Sequence, residues 1–185
     1  MNLYTKILGT ATMIVAVSLL AKAQKGKPFP YIEGETLTNQ QINIPNNTKG
    51  KFTLIGMAYS KKSEDELKSW FNPVYQTFIH KPSTPGLFTT GYDVNVYFIP
   101  MFTGAKKAAY KVAMKKMRSK TDPKLIPHIM FYKGELKKYK EALDFERKDT
   151  PYFFVLDKEG NIVHATSGKY SGSKMEAIEE LLEEW

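Results

Sequence analysis

Apolar positions along this chain alternate between runs and helical spacings, and the switches between them mark out its elements. Phe52 to Met57 is a short apolar run with the pattern of a buried strand. Leu67, Trp70, Phe71, Val74, Tyr75 and Phe78 then recur at helical spacing and predict a helix with one buried face. Ser63 is its expected N-cap, with Glu66 completing a capping box and Glu64 and Asp65 favouring the positive end of the helix dipole. Pro73 predicts a kink or an end to that helix. Val94 to Pro100 reads as a second buried strand, and Gly104 to Lys120 as a second helix stopped at Thr121-Asp122-Pro123. Pro127 to Tyr132 is an extended segment, and Gly134 to Leu143 a short basic helix or turn. Tyr152 to Leu156 is a third strand; Asp157 to Asn161 supplies a tight turn, and Ile162 to Ala165 returns as a fourth. Glu176 to Trp185 closes the chain as an amphipathic helix with Met175, Ile178, Leu181 and Leu182 inward. Ahead of these elements, Leu37 to Ile44 alternates in part and predicts one arm of a hairpin, with Asn46 to Gly50 a turn. His80 to Tyr92, with its two prolines and two glycines, reads as a loop.

The order is strand, helix, strand, helix, hairpin, helix. It predicts an α/β domain in which the first strand pair is parallel, across a helical crossover, and the last is antiparallel. That is the element order of the thioredoxin fold, a central mixed sheet flanked by helices. Thr150-Pro151 stands where that fold places a cis-proline; the plainer alternative is a trans-proline leading into a strand.

The first residues have the pattern of an export leader. Lys6 is followed by a charge-free stretch from Ile7 to Leu20, shorter than the ~20 residues that span a bilayer. Ala21-Lys22-Ala23 predicts cleavage before Gln24, giving a leader at 1–23 and one domain at 24–185. An uncleaved anchor and an organellar presequence are the alternatives. The predicted location is exported, periplasmic or envelope-associated.

The 185 residues include no cysteine. Dithiol exchange and thiol peroxidase chemistry need a thiolate nucleophile, so composition excludes both. A formal charge of +8 suits an acidic protein partner or an anionic membrane surface and is too weak a signal for nucleic acid. His80, His128 and His164 are isolated from one another, so no metal site is assigned, and no motif calls for a cofactor.

Several segments together resemble the thioredoxin-like ATP synthase assembly-factor family, best known from mitochondria. They are Pro28-Phe29-Pro30 with Gly34-Glu35-Thr36-Leu37, Lys51 to Tyr75 with its Ser69-Trp70-Phe71-Asn72-Pro73 ending, Val94 to Pro100 with the basic helix after it, and Thr150 to Gly168. The Ser-Trp-x-x-Pro ending discriminates best, because Leu-Asp-x-x-Gly-x-Ile is shared by many redoxins. The resemblance implies a non-catalytic assembly chaperone whose client is a protein, a membrane subunit of the proton channel. The mitochondrial proteins act on the matrix side, whereas a leader at 1–23 directs this chain to the opposite face of the membrane. In the returning strand the family tends to carry a basic-aromatic pair, where this chain has Val163-His164. A thioredoxin-scaffold enzyme or small-molecule binder using non-thiol chemistry is the alternative function.

Two surfaces are candidates for partner binding. Tyr59, Ser60, Ser63, Thr150 and Pro151 should meet if the fold is right, because the backbone before the proline is an edge that can pair with an extended peptide. The opposing reading is a filled, vestigial corner. Ser60-Lys61-Lys62-Ser63 resembles a Cys-x-x-Cys turned to serine, but an ungapped count from Gly50-Lys51 puts Lys62 and Asp65 at the thiol positions, and a plain helix cap explains Ser63 alone. The second surface is a basic stripe, Lys107, Lys111, Lys115 and Arg118, suited to anionic headgroups or simply a solvated face.

Overall fold

The structure is a computed structural model that describes residues 24–80 and 92–183. The expected leader at 1–23, most of the loop between His80 and Tyr92, and Trp185 lie outside the described residues. Seven strands form one sheet: β1 (Ile32–Thr36), β2 (Gln41–Ile44), β3 (Phe52–Ala58), β4 (Val94–Thr103), β5 (Met130–Gly134), β6 (Tyr152–Leu156) and β7 (Ile162–Ser167). Their spatial order is β2-β1-β5-β4-β3-β6-β7. β3 pairs with β4, and β4 with β5, in parallel, while the remaining pairs are antiparallel. The domain is thioredoxin-like α/β, as expected.

Side-chain alternation sorts the core onto the two faces of the sheet. Leu54, Val96, Phe98, Phe131, Phe153 and Val155 point to one face. There they meet the first helix through Leu67, Trp70, Val74 and Phe78, the second through Met114, and the last through Met175 and Ile178. Ile55, Met57, Ile99, Met101, Phe154 and Leu156 point to the other, packing on Phe29, Tyr139, Leu143 and Phe145. A Cβ at Gly56 would come within 2.6 Å of the Phe153 ring and 2.9 Å of Leu67, so glycine lets the first helix rest directly on β3.

The first helix starts earlier than the sequence suggests. Its N-cap is Ser60, not Ser63, and α1 runs Lys61–Leu67. The Ser60 hydroxyl accepts from the Ser63 N–H at 3.0 Å, while the Ser60 N–H donates to the Ser63 hydroxyl at 2.9 Å. This reciprocal pair places serine where a capping box usually has Glu or Gln, and Lys61 and Lys62 are good helix formers, so nothing delays the helix to Ser63. Pro73 does not end the helix. The chain tightens into a 3-10 turn at Lys68–Trp70, resumes as α2 (Phe71–Val74) and widens into a π turn over Tyr75–Ile79. The tight turn accommodates the missing proline N–H, and the apolar face stays seated on the sheet.

The second helix is a 3-10 stretch, Gly104–Ala109, followed by α3 (Tyr110–Lys120). α4 (Lys137–Leu143) covers the opposite face, and α5 (Gly172–Glu183) starts four residues before the expected Glu176. The opening hairpin includes a first arm, β1, that the sequence hid: Gly34 sits in it because a Cβ there would lie 2.6 Å from the Phe131 carbonyl oxygen.

The Thr150–Pro151 bond is trans; the cis peptide among the described residues precedes Pro45. The trans form is the lower in energy for X-Pro bonds by ~0.5–1 kcal/mol. Pro151 makes no turn here. It leads into β6, and its carbonyl accepts the Gly168 N–H at 2.8 Å, extending the β6–β7 ladder.

Candidate functional site

The parallel strands β3 and β4 end on one side of the sheet, the side where α/β folds place their ligands. At the end of β3 the chain passes through Tyr59 and Ser60 into α1. Ser60 and Ser63 are both buried, and their hydroxyls close on each other: Ser60 donates to Ser63 at 3.1 Å, and Ser63 donates to the Ser60 carbonyl at 3.1 Å. Both protons are therefore used within the cap, and neither oxygen is poised for attack.

Tyr59 is closed off by Phe145. The two rings stack with centroids 5.6 Å apart, and the Tyr59 hydroxyl donates to the Phe145 carbonyl at 3.1 Å. Burial, then the neighbouring Tyr152 and Asp149, push the Tyr59 phenol up to about 12, so it stays protonated. Phe145 in turn stacks on Tyr152 at 4.5 Å, and the Tyr152 hydroxyl accepts the Arg147 N–H at 2.7 Å. Lys106 seals the side, donating to Glu64 at 3.0 Å and to the Tyr59 carbonyl at 3.4 Å.

The structure thus joins Ser60 to Ser63, and Tyr59 to the Phe145–Tyr152 stack. Pro151 is buried and Thr150 half-buried; among the described residues no hydrogen bond links either of them to Ser60 or Ser63. The resemblance-bearing Ser69-Trp70 pair has a structural job. Trp70 lies on Phe153 at 4.1 Å and donates its indole N–H to the Gly168 carbonyl at 3.0 Å. Ser69 accepts the Tyr170 N–H at 3.0 Å, so the pair clamps the turn between β7 and α5.

The basic stripe lies on the second helical segment. Lys111, Lys115 and Arg118 are exposed, but Lys107 is half-buried in an ion pair with Glu135, and Arg118 donates to Asn39 at 2.6 Å. Val112 stands among them with 72% of its surface exposed. Between α3 and the first helix runs a groove of about 520 Å³ that sequence reasoning missed. Each helix alone shows only an amphipathic pattern, and the groove exists only where two such helices are set side by side. No group of three His, Asp or Glu among the described residues could hold a metal ion, and no described helix is long and apolar enough to cross a membrane.

A family model described as ATP10 protein matches residues 12–184. The chain belongs to the ATP10 family. No curated protein matches it. The fold of this ATP10-family chain is similar to several solved structures. A thio-disulfide isomerase from Thermus thermophilus is 15% identical with a TM-score of 0.51, covering 85% of this chain and 96% of its own. The exposed lipoprotein thioredoxin Etrx1 from Streptococcus pneumoniae is 14% identical with a TM-score of 0.51, covering 84% of this chain and 100% of its own. A thiol:disulfide interchange protein from Bacteroides sp. is 17% identical with a TM-score of 0.50, covering 86% and 90%. At these identities the likeness is one of fold. Those proteins are named for thiol chemistry or as a thioredoxin, and a chain without cysteine cannot perform that chemistry.

Proposed function

We propose that this ATP10-family protein is a non-catalytic assembly chaperone, exported after loss of residues 1–23, that holds an unassembled subunit of a membrane complex, in the membrane sector of ATP synthase. The observation that carries this reading is the family match over residues 12–184. The closed Ser60–Ser63 pair supports it, because the scaffold keeps the loop but leaves it no reactive group. In this reading the partner contacts the exposed cations of α3, a choice that the packing of the corner around Tyr59 supports. Lys111, Lys115 and Val112 form a face that would rest on anionic headgroups while the client is held at the bilayer surface.

In-cell crosslinking of the C-terminally tagged full chain, followed by fractionation and mass spectrometry, tests this. Capture of ATP synthase membrane subunits from the envelope fraction is the expected result. A soluble monomer with no captured subunit would overturn it.

A further inference from the structure

We propose that the groove between the first helix and α3 is a docking slot for an amphipathic helix with acidic flanks. The identity of that helix as part of a client subunit rests on the assembly reading above. Both walls are helical faces: Lys61, Glu64, Lys68 and Phe71 on one side, Ala113, Lys116, Met117 and Lys120 on the other. The floor is apolar, made by Phe71, Ala113, Met117 and Leu125. Phe71 is held from behind by Phe98, with ring centroids 4.4 Å apart, so this part of the floor is fixed, while Met117 can adjust to what lies on it. A third helix laid in the groove would cover the floor with side chains spaced i, i+3, i+4 and i+7.

The charges on both rims choose the partner. Lys116 and Lys120 make no ion pair among the described residues. Lys61 and Lys68 share a single carboxylate, Asp65, at 2.7 and 2.9 Å, so that rim keeps a net positive charge. Two carboxylates, Glu64 and Asp122, also line the groove. Glu64 pairs with Lys106 at 3.0 Å; Asp122 only accepts the Lys124 backbone N–H at 3.0 Å and keeps its charge, but Lys116 and Lys120 on the same rim outnumber it. An apolar floor between two positive rims is complementary to a helix whose apolar face is bordered by Glu or Asp. A flat bilayer can reach Val112 and Lys111 on the outer surface, but the floor is recessed between the helices.

The test uses two fluorescein-labelled peptides of about four helical turns. Both carry Leu at i, i+3, i+4 and i+7; one has Glu at the flanking positions and the other Lys. Their binding to the folded chain is followed by fluorescence anisotropy. The Glu peptide should bind, more weakly as salt rises, and the Lys peptide should not. The exposed double variant Lys116→Glu/Lys120→Glu should weaken the Glu peptide about tenfold or more. Met117→Asp should abolish binding, with circular dichroism showing that each variant remains folded. Equal binding of both peptides, or binding that survives both variants, would overturn the slot. So would a Met117 methyl resonance that shifts with anionic vesicles and not with the Glu peptide. The same double variant in the crosslinking experiment separates the two ideas. Unchanged capture of membrane subunits by the double variant would leave the chaperone role standing and remove the slot. If the wild type captures no membrane subunit yet binds the Glu peptide in the groove, the slot stands and the chaperone role falls.

Discussion

The Tyr59 ring lies against Phe145 at an interplanar angle of 12°, and its hydroxyl donates to the carbonyl of the same residue at 3.1 Å. One residue on the loop before β6 thus meets both the apolar and the polar part of the tyrosine. Phe145→Ala should cost about 3–5 kcal/mol in urea denaturation, and Tyr59→Phe about 1 kcal/mol. A Phe145→Ala cost below 1 kcal/mol would mean that the corner is not sealed by this stack.

Ser60→Ala removes the N-cap of α1 and should lower stability by about 0.5–2 kcal/mol. Installing thiols at these two positions should not create a redox enzyme. With the hydroxyl oxygens 3.1 Å apart, Ser60→Cys/Ser63→Cys should form a disulfide in air, detected by thiol titration. Insulin reduction by that variant should stay near background, because the Tyr59–Phe145 stack denies the substrate a seat. Turnover like that of a thioredoxin would show instead that the corner admits polypeptide.

Burial holds both His128 and His164 below the usual imidazole range, His164 with the added repulsion of Lys25. The Val96 carbonyl near His128 Nδ1 opposes this for His128 without reversing it. In the unfolded chain each histidine protonates near 6.5, so between that value and the lower folded one the unfolded state binds more protons. Stability should therefore fall as pH drops from about 7.5 to 5.5. The melting temperature, followed across that range, should decline less steeply in His128→Asn/His164→Asn than in the wild type. Identical slopes would show that these two groups do not contribute.

Reversing Lys111 and Lys115 should reduce co-sedimentation with anionic vesicles at low ionic strength, at ~1 kcal/mol per basic residue. Lys107→Glu should matter less, because Lys107 is already paired with Glu135. Unchanged sedimentation of the Lys111/Lys115 variant would make α3 an ordinary solvated face.

The sheet was legible because its central strands are written as apolar runs. Phe52 to Met57, Val94 to Pro100 and Tyr152 to Leu156 all became strands, and Trp70 and Val74 proved buried as their spacing implied. The corner was not legible. Phe145 is one aromatic in a charged loop, and its partner Tyr59 lies 86 residues away, so no local pattern joins them. Ser63 reads as the cap in the sequence because Glu66 stands at the usual capping-box offset, whereas the box in the structure is made by Ser60 and Ser63. The first hairpin arm was obscured by Gly34, a residue set by the close approach of the neighbouring strand β5 rather than by strand propensity.

The absence of a Cβ at Gly56 makes the two sides of the groove unequal. The first helix is pressed onto β3 and anchored by Leu67, Trp70, Val74 and Phe78, all buried, whereas in α3 only Met114 is fully buried and Tyr110, Ala113 and Met117 are partly so. The wall next to β3 therefore behaves as an anvil and α3 as the jaw. Whatever the groove accepts should be fitted by α3 rolling about Met114, and amides of α3 should exchange with solvent sooner than those of α1 and slow most when the groove is filled.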